Sequence, residues 1–157
     1  MSAEAKLAEL LAHHKLEMPP APKPQGLYTP LLVVNNLAFV AGHLPVRPTG
    51  QIVKGRLGND LDVAAGYEAA RLAGLGILAT LRQALGSLDR VVRVAKLVGM
   101  VNCTPEFDQH PAVINGCSEL LAEVFSSGAG VGARSSFGVA SLPLGAAVEI
   151  EAVFEID

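Results

Sequence analysis

The chain has 157 residues, half of them hydrophobic and only 17% charged, with a net charge of −3 and no cluster of lysines and arginines. That length suffices for one domain with a full core and no disulfide or structural metal, and the missing basic patch argues against a nucleic-acid partner. A mean hydropathy of +0.39 leaves more apolar surface than a small monomer can hide, so a homo-oligomer is expected.

In chain order, Ser2 to Lys15 reads as a helix with Leu7, Leu10 and Leu11 on one stripe, and the segment MPPAPKPQG from Met18 to Gly26 stops it. Residues 1–25 are thus a helical arm with a Pro-rich linker, and residues 26–157 form the domain. LLVVNN and LAFVAGH then pair across Asn35 and Asn36, which tolerate the positive φ of a hairpin turn, giving a hairpin from Pro30 to Gly42. The uncharged run from Gln25 to Val46 is interrupted by Pro30, Asn35, Asn36, His43 and Pro45, so it reads as two strands and a turn and not as a membrane span.

From Asp62 to Leu85, apolar residues recur at helical spacing beside a stripe of small ones, Ala65, Ala69, Ala73 and Gly76. Three internal glycines, Gly66, Gly74 and Gly76, each cost up to about 1 kcal/mol against alanine, and close packing on a sheet is the expected compensation. VVRVAKLVGMV reads as a central strand, and Pro105 to Phe125 as a second helix with Phe107, Ile114, Leu121 and Phe125 on its apolar stripe. Two strands follow, Arg134 to Ala140 and Ala146 to Ile156, joined through SLPLG as a hairpin. The order after the arm, ββαβαββ, predicts an α+β layer with helices on one face of a mixed sheet.

The run ARSSFGVA raises the chemical question. Arg134 cannot shed its charge and needs an acceptor for its planar fork. On a strand it shares a face with Ser136 and Gly138, while Glu149, Glu151 and Glu155 share a face of the last strand. Two readings fit. Arg134 with Ser136 holds a carboxylate-bearing ligand while a glutamate orients or deprotonates a water, or Arg134 makes a structural ion pair across the ladder. The four histidines lack zinc spacing. Cys103 and Cys117 lack metal-ligand spacing and read as packing thiols of a protein in the reducing cytoplasm. No nucleophile elbow, phosphate loop or dinucleotide fingerprint is present.

Tyr28, AGHLP at Ala41 to Pro45, ARSS at Ala133 to Ser136, and ASLPLGAAVEIEAV at Ala140 to Val153 together resemble the YjgF/RidA family over about residues 26 to 156, with the first 24 residues outside the match. The resemblance implies a chorismate-mutase-like fold, a homotrimer, and ligand sites in the clefts between subunits, with no metal or cofactor. It implies hydrolytic deamination of 2-imino and 2-enamino acids to 2-keto acids and ammonia. Arg134 then holds the substrate carboxylate, Glu149 orients the attacking water, and Tyr28 lines the neighbouring subunit's side of the cleft. Ser136 stands where deaminating members carry a cysteine, Pro105 where they carry an asparagine, and His43 where glutamine is usual. The alternative is a trimer that binds small carboxylate metabolites in the same clefts without catalysis.

Overall fold

The computed structural model describes residues 1–157: α1 (Ala3–His14), β1 (Leu31–Val34), β2 (Leu37–His43), α2 (Val63–Leu85), β3 (Val91–Asn102), α3 (His110–Phe125), β4 (Ala133–Val139) and β5 (Val148–Ile156). Local chemistry sets the helix starts. The Ser2 hydroxyl accepts from the Ala5 N–H, and the Asp62 carboxylate accepts from the Ala65 N–H, each satisfying an amide that the helix leaves free. The second long helix starts at His110 and not at Pro105, because residues 105–106 lie in a turn closed by the Phe107 N–H on the Thr104 carbonyl and residues 107–109 have no regular structure.

The five strands form one mixed sheet in the order β1-β2-β5-β3-β4. Only β3 and β4 are parallel; β1–β2, β2–β5 and β5–β3 are antiparallel. The expected hairpin between the last two strands does not form. β5 lies between β2 and β3 at the centre of the sheet, and β4 is an edge strand beside β3. Two causes decide this. The helix α3 between β3 and β4 is a crossover, which makes its flanking strands parallel neighbours. Val148, Ile150, Ala152, Phe154 and Ile156 of β5 are all buried, which a central strand under helices provides. A strand carrying Ser135, Ser136 and Gly138 is tolerated at an edge. The run VVRVAKLVGMV is accordingly internal but not central.

All three helices share one core with one face of the sheet: Leu75, Ile77, Leu78 and Leu81 of α2 and Ile114, Leu120 and Leu121 of α3 pack with Ile150 and Phe154. The glycines of α2 serve both neighbours: Gly76 faces His43 of β2, while Gly74 faces α3. A side chain at Gly74 would meet Cys117 and Leu120, and one at Gly116 would collide with the backbone of Tyr67, so these glycines let the two helices approach closely.

The arm is part of the same body. Leu7 and Leu10 are buried in the shared core, and the Glu4 carboxylate accepts from Nε and Nη2 of Arg82 and from the Leu88 N–H at 3.2, 2.6 and 2.9 Å. Burial alone would raise the Glu4 carboxyl, but the Arg82 and Leu88 hydrogen bonds outweigh it and hold the group below its ordinary value.

The other sheet face carries no helix. Leu32 and Phe39 lie opposite one another on it, 55% and 44% exposed, and Val34 and Phe137 are similarly open. No helix is long and apolar enough to cross a membrane.

Candidate functional site

Arg134 sits on the edge strand opposite Leu97 and turns toward the helix layer. One terminal nitrogen, Nη1, donates to Asn115 Oδ1 at 2.8 Å and to Ser118 Oγ at 3.0 Å, both on α3. Asn115 and Ser118 lie three residues apart, one helical turn, and so face the same way. Beneath them the Cys117 thiol is fully buried, and burial pushes it up to about 12 against the opposing pull of the Arg134 charge. The thiol therefore stays neutral. Ser136 shares the inward face of β4, opposite Gly99 and partly buried.

No carboxylate of the chain reaches Arg134. The ion pairs are Glu4–Arg82, Glu68–Arg71, Arg90–Asp157, Arg93–Glu155 and His14–Glu123. The cross-strand ladder pair that the sequence offered for Arg134 is made instead by Arg93 and Glu155, opposite one another on β3 and β5 at 3.0 Å. With β4 at the edge, no glutamate of β5 is adjacent to Arg134.

Glu149 lies elsewhere. It sits opposite Met100, between the buried residues Val148 and Ile150, and so projects from the helix-free face of the sheet. It lines a cavity of about 750 Å³ whose walls include Lys23, Tyr28, Gly42, His43 and Pro143. Gly42 leaves room for the Glu149 carboxylate, which a side chain at this position would push aside. Burial raises the Glu149 carboxyl above its ordinary value, and the neighbouring Glu151 charge adds to the rise. Tyr28 is about half exposed, and its hydroxyl accepts from the Gln25 N–H at 3.2 Å. The structure thus brings Tyr28 and Glu149 together and sets Arg134 and Ser136 apart from them, on the opposite face.

His43 is 2% exposed and stands at the irregularity in β2 between Val40 and His43. Burial lowers its pKa, against the hydrogen bond to the Ala41 carbonyl, so the ring is neutral. Nδ1–H donates to Ala41 O at 2.7 Å, and Nε2 accepts from the Thr80 hydroxyl at 2.7 Å. The ring straps the β2 segment that carries Gly42 to α2. Cys103 is buried with Sγ 3.5 Å from His110 Nε2, and burial raises its thiol.

Sequence reasoning missed three contributors. Lys23 belongs to the linker read as a spacer, and only the chain path shows that it lines the Glu149 cavity. Asn115 and Ser118 were legible as two polar residues one turn apart on an otherwise apolar helix face, but nothing in the spacing names Arg134 as their partner.

A family model described as "YjgF/chorismate mutase-like, putative endoribonuclease" matches residues 8–155. This chain belongs to the YjgF/RidA family. The match takes in most of α1 as well as the domain. Protein TCP17 of Trypanosoma cruzi is 38% identical over 155 residues, covering 99% of this chain and 97% of the relative. The solved structure of Atu1372 from Agrobacterium tumefaciens, a protein of unknown function, is 41% identical with a TM-score of 0.87, covering 99% of this chain and 94% of that one. Escherichia coli TdcF, solved with bound serine, is 26% identical with a TM-score of 0.63 and covers 90% of this chain and 98% of its own.

Proposed function

We propose that this YjgF/RidA protein hydrolyses 2-imino and 2-enamino acids to 2-keto acids and ammonia, at sites completed between copies of the chain in a homotrimer. The observation that carries the reading is Arg134, a partly buried guanidinium held by two neutral acceptors and met by no carboxylate of its own chain. A cation left in that state suits the carboxylate of a small acid, as a planar fork against a planar acceptor. The serine bound to TdcF is a ligand of this size and class.

Hydrolysis of the imine needs a water aimed at C2 and a group to move its proton. Glu149 suits this role: it lines a cavity and is partly buried there, with its carboxyl raised above its ordinary value by that burial. Water adds to C2, the C2–N bond then breaks, and nitrogen leaves as ammonia. Every atom comes from substrate and water. Because Arg134 and Glu149 face opposite sides of one sheet, Arg134 of one copy serves the cavity holding Tyr28 and Glu149 of the next. The uncovered apolar face bearing Leu32, Phe39 and Phe137 provides a surface for such copies to bury.

The second reading, a trimer that binds small carboxylates without turning them over, draws on Ser136, a hydroxyl where deaminating relatives have a thiol. One assay separates the two: an amino-acid oxidase generates transient imino acids, and keto-acid release is followed with and without the protein. The proposed activity accelerates release. Unchanged release with measurable 2-keto-acid binding selects the binding protein.

A further inference from the structure

We infer that Asn115 and Ser118 are positioning residues for Arg134, and that their being uncharged is what keeps the arginine available to a carboxylate. The inference rests on the clamp role proposed above and says how the chain builds it. Of the five guanidinium donors, the two on Nη1 are taken, by Asn115 Oδ1 at 2.8 Å and Ser118 Oγ at 3.0 Å. The Nε–H and the two Nη2 donors have no partner in the chain. The Nε–H and the Nη2 donor parallel to it form the side-on edge of the fork, the edge that takes a carboxylate with two parallel hydrogen bonds.

Two acceptors on one nitrogen fix both the direction of the side chain and the plane of the group. Both come from α3, a sixteen-residue helix packed into the core through Ile114, Leu120 and Leu121, so the hold is as rigid as the helix. A carboxylate at position 115 would keep the acceptor in the same place but neutralise the cation. The contrast lies in the same chain: Arg82, which has a structural task, is met by the carboxylate of Glu4. The guanidinium of Arg134 is oriented by dipoles and left with its charge unanswered, an arrangement preorganised for an anion.

This makes the two positions separable from a merely structural pair. Asn115→Asp is nearly isosteric, retains an acceptor for Nη1, and adds the opposing charge. It is expected to leave the melting temperature equal or higher, because an ion pair replaces a neutral hydrogen bond, while weakening the binding of a small 2-keto acid about tenfold. Ser118→Ala removes one of the two holds and is expected to weaken binding about threefold with little change in melting. The experiment is calorimetric titration of 2-oxobutanoate into the full-length wild type, Asn115→Asp, Ser118→Ala and Arg134→Ala, each with a thermal melt.

Opposite movements of affinity and stability in Asn115→Asp support the inference. Wild-type affinity in Asn115→Asp, with binding lost in Arg134→Ala, overturns it and leaves the clamp intact. Binding loss in Asn115→Asp that comes with a lower melting temperature also overturns it, since that is a structural role. Wild-type affinity in Arg134→Ala refutes the clamp reading itself, and the inference falls with it.

Discussion

Two arginines of this chain are held in contrasting ways. Arg82, on the last turn of α2, meets the carboxylate of Glu4 through Nε and Nη2 while the same carboxylate caps the Leu88 N–H; Arg134, on the edge strand, meets only the neutral oxygens of Asn115 and Ser118. The first arrangement closes its own charge and fastens the arm helix to the body. The second leaves a charge open at the edge of the molecule. The paired arginine serves the architecture, and the proposed clamp role rests on the unanswered charge of the other.

The comparison breaks if the two arginines respond alike to substitution. The largest effect is expected from Glu149→Gln, which should lower turnover by about a hundred- to ten-thousandfold, the scale of a lost general base, while 2-keto-acid binding stays near wild type; an equal loss of both would make Glu149 a binding group. Next is Arg134→Ala, expected to cost about 2 to 5 kcal/mol of ligand binding with melting nearly unchanged. Glu4→Ala should do the reverse. It should lower the melting temperature by about 3 to 6 °C, from a loss of about 1 to 2 kcal/mol in a partly solvated pair and cap, with ligand affinity preserved.

The smallest effect is in the pH dependence of stability, and its sign differs between the two carboxylates. Glu149 holds its proton more tightly in the folded state, so its contribution is fully present below the ordinary value of 4.5 and is lost as pH rises through the folded value. Glu149→Gln should therefore melt higher than wild type at neutral pH and converge with it below about pH 4.5. Glu4 is shifted the other way, so its contribution is present above 4.5 and is lost as pH falls through its lower folded value. Glu4→Ala should be destabilised at neutral pH and converge with wild type in acid. Melting curves across pH for both variants check the pair of signs.

Much of the fold was legible because the patterns are local. The Asn35–Asn36 turn, the Asp62 start of α2 and the alternation in β5 each follow from chemistry within a few residues. Strand order was not, since SLPLG suits a tight hairpin equally well as a passage over the end of β3, and only the crossover helix α3 with the fully buried face of β5 settles it. That difference decided the reading of Arg134. With the two last strands adjacent, the glutamates of β5 would have lain alongside it; with β3 between them, the ladder pair is Arg93–Glu155. The residues of the proposed site were named from motif, but their separation onto two faces of one sheet was not legible, because it depends on pairing across the whole chain.

The measurement that tests the account most directly is complementation between two inactive variants. Arg134→Ala and Glu149→Gln chains are each denatured, mixed in equal amounts, refolded together and assayed for keto-acid release from an oxidase-generated imino acid. If the site joins Arg134 of one copy to Glu149 of the next around a closed ring, about a quarter of the interfaces in random mixed assemblies carry both native residues. Recovery of about a quarter of wild-type activity is expected on that basis, from two preparations that are each inactive when refolded alone. Full inactivity of the mixture, in assemblies shown to contain both chains, would contradict it.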